Sequence, residues 1–337
     1  MTTLHTLTYR GTAPQIGAPA HVGAGAAVLG RATIGAGARL GAGSVIRADG
    51  HYVRIGRDFR LGARGTVHIA HDLYPTHVGD GVSAGAGAVI HACDVGDRAW
   101  LGDGAIVLDG ATVEAGAALA PGAVVFPRGR AQSGWWHEGA PAKPLRPLEP
   151  GELEALHAAA RAAADGEAPA PGAARGAEGA MFVARGAVLR GRITCCAEVG
   201  IWYGCVLDAG AQSIAIGDRA NIQDNTVLIA RDGPVAVGAG STLGHNVTAT
   251  DAQVGAGALV GIGAVLAPGT VVADGAFVAA GARTEPGQHV EGGWLHGGVP
   301  CRPLKPLDAP KTALIAATVE MYVGYARDFA AAQAGKG

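Results

Sequence analysis

The hydrophobic residues of this chain recur at every sixth position, a spacing that fits neither an α-helix nor an ordinary alternating strand. The first half carries this series at Ile16, Val22, Val28, Ile34, Leu40 and Ile46. After short breaks it resumes at Ile55, Leu61 and Val67, then at Val78, Ala84 and Ile90, and then at Val95, Leu101, Val107, Val113, Leu119 and Val125. A glycine commonly follows the aliphatic residue, as in Ile34-Gly35. The six-residue step predicts triangular coils, in which each side is a short strand with one inward aliphatic side chain and small residues turn the corners.

The same pattern returns in the second half, so the chain is a tandem duplication. It runs through Leu189, Cys195, Ile201, Leu207, Ile216, Ile222, Leu228, Val237, Leu243, Ala249, Val254, Val260, Leu266, Val272 and Val278. We predict an all-β solenoid of two parallel β-helix domains, 1–164 and 180–337, joined by a Pro-, Gly- and Ala-rich linker at 165–179. Each domain ends in a segment of helical spacing, 151–164 and 311–333.

Composition supports the solenoid and narrows the function classes. The 337 residues include 56 glycines without a collagen repeat, and the aliphatic residues are too regular for disorder. A net charge of −2 gives no electrostatic basis for nucleic-acid binding, and no apolar run approaches the ~20 residues of a membrane span. Five cysteines without a C-x2-C pair argue against a disulfide framework. We expect a soluble, cytoplasmic protein.

Short motifs in both halves resemble the gamma-class carbonic anhydrase family. In the first half they are Arg47-Ala48-Asp49, Arg54-Ile55-Gly56, Val67-His68, Tyr74-Pro75, Ile90-His91 and the segment 104–111. In the second half they are Ile201-Trp202, Asn221-Ile222-Gln223-Asp224, Gly244-His245 and the segment 261–266. The resemblance implies a left-handed β-helix that forms trimers, with zinc at each subunit interface. Two histidine ligands would come from one subunit and the third from its neighbour.

Neither half keeps all three of the family's histidine positions, and the losses are complementary. By motif match these positions hold His68, Ala86 and His91 in the first half, and Ile229, His245 and Thr250 in the second. The first half has lost the face with the third histidine, where it reads Arg60, Gly62, Ala63 and Ala86. The second half has lost the two-histidine face, where it reads Asp208, Gly210, Ile229 and Thr250. The resemblance therefore suggests one composite zinc site with His68 and His91 from one domain and His245 from the other.

Such a site would catalyse the reversible hydration of CO2 to bicarbonate, a lyase reaction, with zinc as the metal or iron or cobalt in its place. By analogy, Gln223 would orient the attacking hydroxide, Asn221 would hold Gln223, and Arg47 with Asp49 and Asp224 would form a charge-assisted pair across the interface. The glutamate that serves some relatives as a proton shuttle is absent, since its position is Gly50. Nearby candidates for proton export are His51, His71, Asp72 and His77.

Other functions are compatible with the same residues. The chain could be an inactive carbonic-anhydrase-like scaffold that assembles with itself or with homologous subunits. The family's trimer contains three domains and this chain supplies two unlike ones, so another chain would have to supply the third. Hexapeptide coils also build acyltransferases, although the motifs are those of the carbonic anhydrase branch. The ion pair of Arg47 can be purely structural, and Asn221 and Gln223 can simply cap strand corners.

Overall fold

In the computed structural model, most strands pair in parallel with the strands one coil before and one coil after them. The structure describes residues 4–163, 174–175 and 177–335. The chain divides into two compact units, residues 1–168 and 169–337. Most of the predicted linker, 165–179, lies outside the described residues; within it, Ala174–Arg175 form a strand and Ala177–Gly179 a 3-10 turn.

The first unit consists of short strands that follow one another around three-sided coils. Their bounds are β1 (His5–Leu7), β2 (Gln15–Ile16), β3 (His21–Val22), β4 (Ala27–Ile34), β5 (Arg39–Leu40), β6 (Val45–Ile55), β7 (Arg60–Leu61), β8 (Thr66–His68), β9 (Thr76–Val78), β10 (Ser83–Ala84), β11 (Val89–His91), β12 (Asp94–Val95), β13 (Trp100–Leu101), β14 (Ile106–Val107), β15 (Thr112–Val113), β16 (Ala118–Leu119), β17 (Val124–Val125), β18 (Arg130–Ala131), β19 (Trp135–Glu138) and β20 (Lys143–Pro147). The helix α1 (Glu152–Ala162) follows them.

The predicted aliphatic positions form the core of this unit. Parallel pairing places them in columns, and one column runs through Val28, Ile46, Val67, Ile90, Val107 and Val125. All six side chains are buried. The period of six is thereby explained, because each side of the triangle contributes one inward residue per coil, and stacking the coils joins these residues into a continuous apolar interior.

Small residues at the corners allow the coils to stack at strand spacing. A Cβ built on Gly62 would lie 2.5 Å from the backbone nitrogen of Ala86 in the next coil. Real side chains do not tolerate so short an approach, so this corner requires glycine. The high glycine content therefore belongs to the corners, where the backbones of successive coils meet.

The helix α1 is fixed to the coils by polar contacts. Arg146 forms a bidentate ion pair with Glu152 in the first turn of the helix, with nitrogen–oxygen distances of 2.8 and 2.6 Å. Further along, the ring of His157 contacts the Ser83 hydroxyl at 2.9 Å and the Arg98 carbonyl at 3.0 Å. These contacts hold the helix against the face of the coils that contains β10 and β13.

The second unit repeats the first. Its strands are β21 (Ala174–Arg175), β22 (Phe182–Val183), β23 (Val188–Cys195), β24 (Gly200–Ile201), β25 (Val206–Ile216), β26 (Asn221–Ile222), β27 (Val227–Ile229), β28 (Val235–Val237), β29 (Thr242–Leu243), β30 (Thr248–Thr250), β31 (Gln253–Val254), β32 (Leu259–Val260), β33 (Val265–Leu266), β34 (Val271–Val272), β35 (Phe277–Val278), β36 (His289–Val290), β37 (Trp294–Gly297) and β38 (Arg302–Pro306). The helix α2 (Ala309–Gln333) ends the described chain apart from two residues.

The helix α2 packs on its own unit through aromatic side chains. The ring of Trp202 lies 5.4 Å from the ring of Tyr322 and 5.2 Å from that of Phe329, measured between centroids. Phe182 completes the cluster at 5.9 Å from Phe329. These side chains are buried, so they fix the helix along the coils. Among the described helices, none has the length and apolar character that crossing a membrane requires.

Both helices occur where their spacing predicts them, with boundaries that differ by at most two residues. Among the described residues no disulfide links the five cysteines, and four of the five are buried. The exception is Cys196, which is exposed because it follows the inward position of Cys195 at a corner.

Candidate metal centre

The two histidines of the first unit lie side by side on one face of the coils. His68 ends β8, His91 ends β11, and these residues are partners in the parallel register. The strand β6, which precedes β8 on the same face, carries Arg47 and Asp49. The prediction that these four residues share a face is confirmed, and its cause is the parallel stacking of equivalent positions in successive coils.

Each histidine ring is held from outside by a carboxylate. Nε2 of His68 lies 3.1 Å from Oδ1 of Asp49, and Nδ1 of His91 lies 2.6 Å from Oδ1 of Asp109. A carboxylate accepts hydrogen bonds, so these outer ring nitrogens carry the protons. The arrangement resembles the carboxylate–histidine pairs that orient metal-binding imidazoles and fix their tautomer.

The inner ring nitrogens then face each other with their lone pairs. Nδ1 of His68 and Nε2 of His91 are 3.2 Å apart. Two neutral imidazoles in these tautomers would repel each other at this distance, so the pair needs a cation, either a proton or a metal ion. Two nitrogens bound at 2.0–2.1 Å to a tetrahedral zinc ion lie about 3.4 Å apart. The donor set and spacing therefore fit zinc.

Arg47 and Asp49 complete the charge balance behind His68. Both side chains are fully buried and form an ion pair within the same strand. Burial by itself would raise the pKa of Asp49, but the charge of Arg47 and the contact with His68 outweigh it and hold that pKa well below its usual range. The pKa of Asp109 is also lowered, since its own burial is outweighed by His91. Both carboxylates are thus available as acceptors.

In the second unit, His245 occupies a different face and also lies next to a carboxylate. Its Nδ1 lies 3.1 Å from Oδ2 of Asp224. The other ring nitrogen, Nε2, therefore points away from Asp224. The other oxygen of Asp224 accepts a hydrogen bond of 3.1 Å from the backbone of Tyr203 in the preceding coil. Both side chains are buried. This geometry leaves Nε2 as the nitrogen that His245 would offer to a metal.

Asn221 and Gln223 lie one coil below His245 on the same face, and both are buried. Asn221 donates a hydrogen bond of 2.7 Å to the hydroxyl of Thr242. The expected bond between Asn221 and Gln223 does not occur among the hydrogen bonds of the described residues. Thr242 is the register partner of Asn221 and is therefore nearer to it than the side chain two positions along the strand.

Among the residues that the structure describes, the face of the second unit that corresponds to the two-histidine face carries no set of metal ligands. Asp208, Ile229 and Thr250 stand there in register. Asp208 accepts a hydrogen bond of 3.0 Å from Arg190, and an isoleucine cannot ligate a metal. The residues that replace the two histidines in the second half, Ile229 and Thr250, therefore lie in one column with Asp208, as the sequence predicts.

The contact of Asp109 with the His91 ring was not predicted from the sequence, in which Asp109 was only part of a matching motif. The signal was available in its spacing, because Asp109 follows His91 by 18 residues, which is one coil. The equivalent position of the second unit holds Pro268. The carboxylate is thus present in the unit that keeps the histidine pair and absent from the unit that has lost it.

Comparisons with known proteins agree with the repeat and with the resemblance. Residues 13–48 match the model "Bacterial transferase hexapeptide (six repeats)", and residues 52–92 match "Hexapeptide repeat of succinyl-transferase". The chain is 35% identical to Protein YrdA of Escherichia coli (strain K12), over 44% of this chain and 84% of that protein. It is also 35% identical to Gamma carbonic anhydrase 1, mitochondrial, of Arabidopsis thaliana, over 42% of this chain and 53% of that protein.

One solved structure resembles nearly the whole chain. It is that of a presumed acetyltransferase from Desulfovibrio desulfuricans G20, with a TM-score of 0.59 over 94% of this chain and 79% of the other. The sequence identity of 13% limits this likeness to the fold. Together with the repeats and motifs, the comparisons identify the class: the chain belongs to the gamma-carbonic-anhydrase-like family of hexapeptide-repeat proteins.

Proposed function

We propose that this protein catalyses the zinc-dependent, reversible hydration of CO2 to bicarbonate. The observation that carries the proposal is the pair of inner nitrogens of His68 and His91, 3.2 Å apart, with both outer nitrogens bound to carboxylates. A pair in this state is stabilised by a cation and is already oriented for one. The likeness to the Arabidopsis gamma carbonic anhydrases supports the reaction class.

The proposed third ligand is His245 of a second unit. It is the histidine at the family's remaining position, it is buried, and its Nδ1 lies 3.1 Å from Oδ2 of Asp224. His68, His91 and His245 would hold a zinc ion, which would supply an activated water, with a pKa of about 7, for the attack on CO2. Iron or cobalt could bind the same donor set.

The remaining predicted residues take supporting roles in this proposal. Asp49 and Asp109 hold the two imidazoles in the required tautomers, and Arg47 balances the buried charge of Asp49. By analogy with the family, Gln223 would orient the oxygen that attacks CO2. Asn221 supports its face of the coil through Thr242, a structural role rather than the direct support of Gln223 expected from the sequence.

Zinc content and CO2 hydration, measured on the same preparations, test the proposal. We expect stoichiometric zinc and a measurable hydration rate in the wild-type protein, and loss of both in His68→Ala and in His245→Ala. His289→Ala is the matched control, since that histidine is exposed and should leave both quantities unchanged. Metal analysis before and after chelation, with reloading by zinc, iron or cobalt, identifies the metal.

The alternatives make different predictions in the same experiment. A protein without stoichiometric metal and without hydration would be the scaffold. A His245→Ala variant that keeps its zinc and its rate would exclude the composite site, even if the protein is active. Turnover of acetyl-coenzyme A with an acceptor would indicate the acyltransferase function.

A further inference from the structure

Next to the two-histidine face, the first unit carries a chain of hydrogen-bonding side chains that leads to its surface. Nδ1 of His77 lies 2.8 Å from Oδ1 of Asp94, and Nε2 of His77 lies 3.3 Å from the hydroxyl of Tyr52. Because the carboxylate accepts the proton of Nδ1, Nε2 is the acceptor for the Tyr52 hydroxyl. The side chain of His77 is 40% exposed, so it can exchange protons with solvent or buffer.

The same short segment of backbone carries both Asp49 and Tyr52. In the pairing of β4 with β6, Gly30 is opposite Ala48 and Ala32 is opposite Val53. Four residues of β6, 49–52, therefore stand opposite a single residue of β4 and form a corner of the coil. One end of this corner places Asp49 on His68, and the other end places Tyr52 on His77. Three residues of extended chain span at most about 10 Å. The surface network therefore begins within a short distance of the residues that hold the histidine pair.

The duplication provides an internal comparison. The register of the second unit places Ser213, Ala236 and Gln253 at the positions of Tyr52, His77 and Asp94. The unit that lacks the two-histidine face thus also lacks every member of this network. A merely solubilising set of polar residues would have no reason to disappear together with the histidine pair.

We infer that Tyr52, His77 and Asp94 form the proton exit of the metal centre, in place of the glutamate that some relatives carry at the position of Gly50. This inference rests on the proposed function. In the hydration direction, a proton released at the centre is taken up through water by the Tyr52 hydroxyl, as that hydroxyl gives its own proton to Nε2 of His77. Asp94 stabilises the resulting imidazolium, which then releases its proton to buffer.

The groups around His77 suit this role. Asp94 faces it from β12, and Tyr52 and Arg54 face it from β6. The guanidinium of Arg54 lies 4.3 Å from the centre of the Tyr52 ring, and the ring of His51 lies 4.6 Å from it. An imidazole ring can accept a proton on one nitrogen and release one from the other, which is what a proton relay requires.

The test uses the zinc-loaded, full-length protein and separates proton transfer from the interconversion of CO2 and bicarbonate. In His77→Ala at low buffer concentration, we expect kcat to fall by at least about tenfold, while kcat/KM stays within about twofold of the wild type. Added imidazole should restore kcat, because it replaces the missing proton acceptor. Tyr52→Phe should show the same pattern, and His289→Ala, with its exposed histidine on the corresponding face of the second unit, should show none of it. In the metal-free protein, NMR should show a hydrogen-bonded proton on Nδ1 of His77 that is lost in Asp94→Ala, and its absence from the wild type would overturn the inference.

The outcomes distinguish this inference from the proposed function. If the wild type hydrates CO2 and His77→Ala has an unchanged kcat at low buffer, the proton exit is wrong and the proposed function stands. A parallel fall of kcat and kcat/KM without rescue by imidazole would mean that His77 only supports the fold, and it would also overturn the inference. A zinc-loaded wild type without hydration activity would overturn both.

Discussion

Replacing the carboxylate of Asp109 tests whether the hydrogen bond to His91 orients the histidine pair for metal binding. Its Oδ1 lies 2.6 Å from Nδ1 of His91, which fixes the tautomer and directs Nε2 toward His68. In Asp109→Asn the amide oxygen can still accept this hydrogen bond, but the negative charge is lost. Removal of such a supporting group typically weakens metal binding by 10- to 100-fold. Because the side chain of Asp109 is 43% exposed, we expect the lower end, about tenfold or about 1.4 kcal/mol.

Competition with a chelator of known zinc affinity measures this change. Asp72→Asn is the matched control, since it removes the same charge from an exposed carboxylate near His71. The reasoning is refuted if Asp109→Asn binds zinc as tightly as the wild type, or if Asp72→Asn weakens binding equally, because a general change in charge would then suffice. In a His91→Ala background, Asp109→Asn should have no further effect, since its partner is gone.

Three further predictions concern stability and reactivity. Among the cysteines, Cys196 should react rapidly with a thiol reagent in the native protein, whereas the other four should react only in denaturant; burial raises the pKa of Cys301 to about 11. Ile46→Ala should lower the free energy of unfolding by about 2–5 kcal/mol, measured by urea denaturation, because it opens a cavity in a fully buried column. The hydrogen bond from Arg146 lowers the pKa of Glu152 to about 2. The stabilisation from this pair should be complete above pH 4.5 and decline as the pH falls toward 2, and in Arg146→Ala an NMR titration should show the midpoint of Glu152 returning toward 4.5.

Local sequence patterns were sufficient to predict most of the fold. The six-residue period specifies inward positions without reference to distant parts of the chain, and glycine marks the corners, as Gly62 illustrates. The helices also follow from local spacing. The motif matches identified His68, His91 and His245 and the faces that carry them, because equivalent positions of successive coils stack directly above one another.

What only the tertiary structure decided is which atoms of these residues meet. Asp109 acts on His91 from one coil away, and His77 joins Tyr52 to Asp94 across three strands. Asn221 binds Thr242 instead of the expected Gln223. The period determines the column of a side chain, but ring orientation, tautomer and hydrogen-bond partner depend on neighbours in adjacent coils, 17 to 25 residues away in the chain. The sequence by itself therefore determined the coil and the candidate ligands, and the packing of coil on coil decided how those ligands are oriented and balanced.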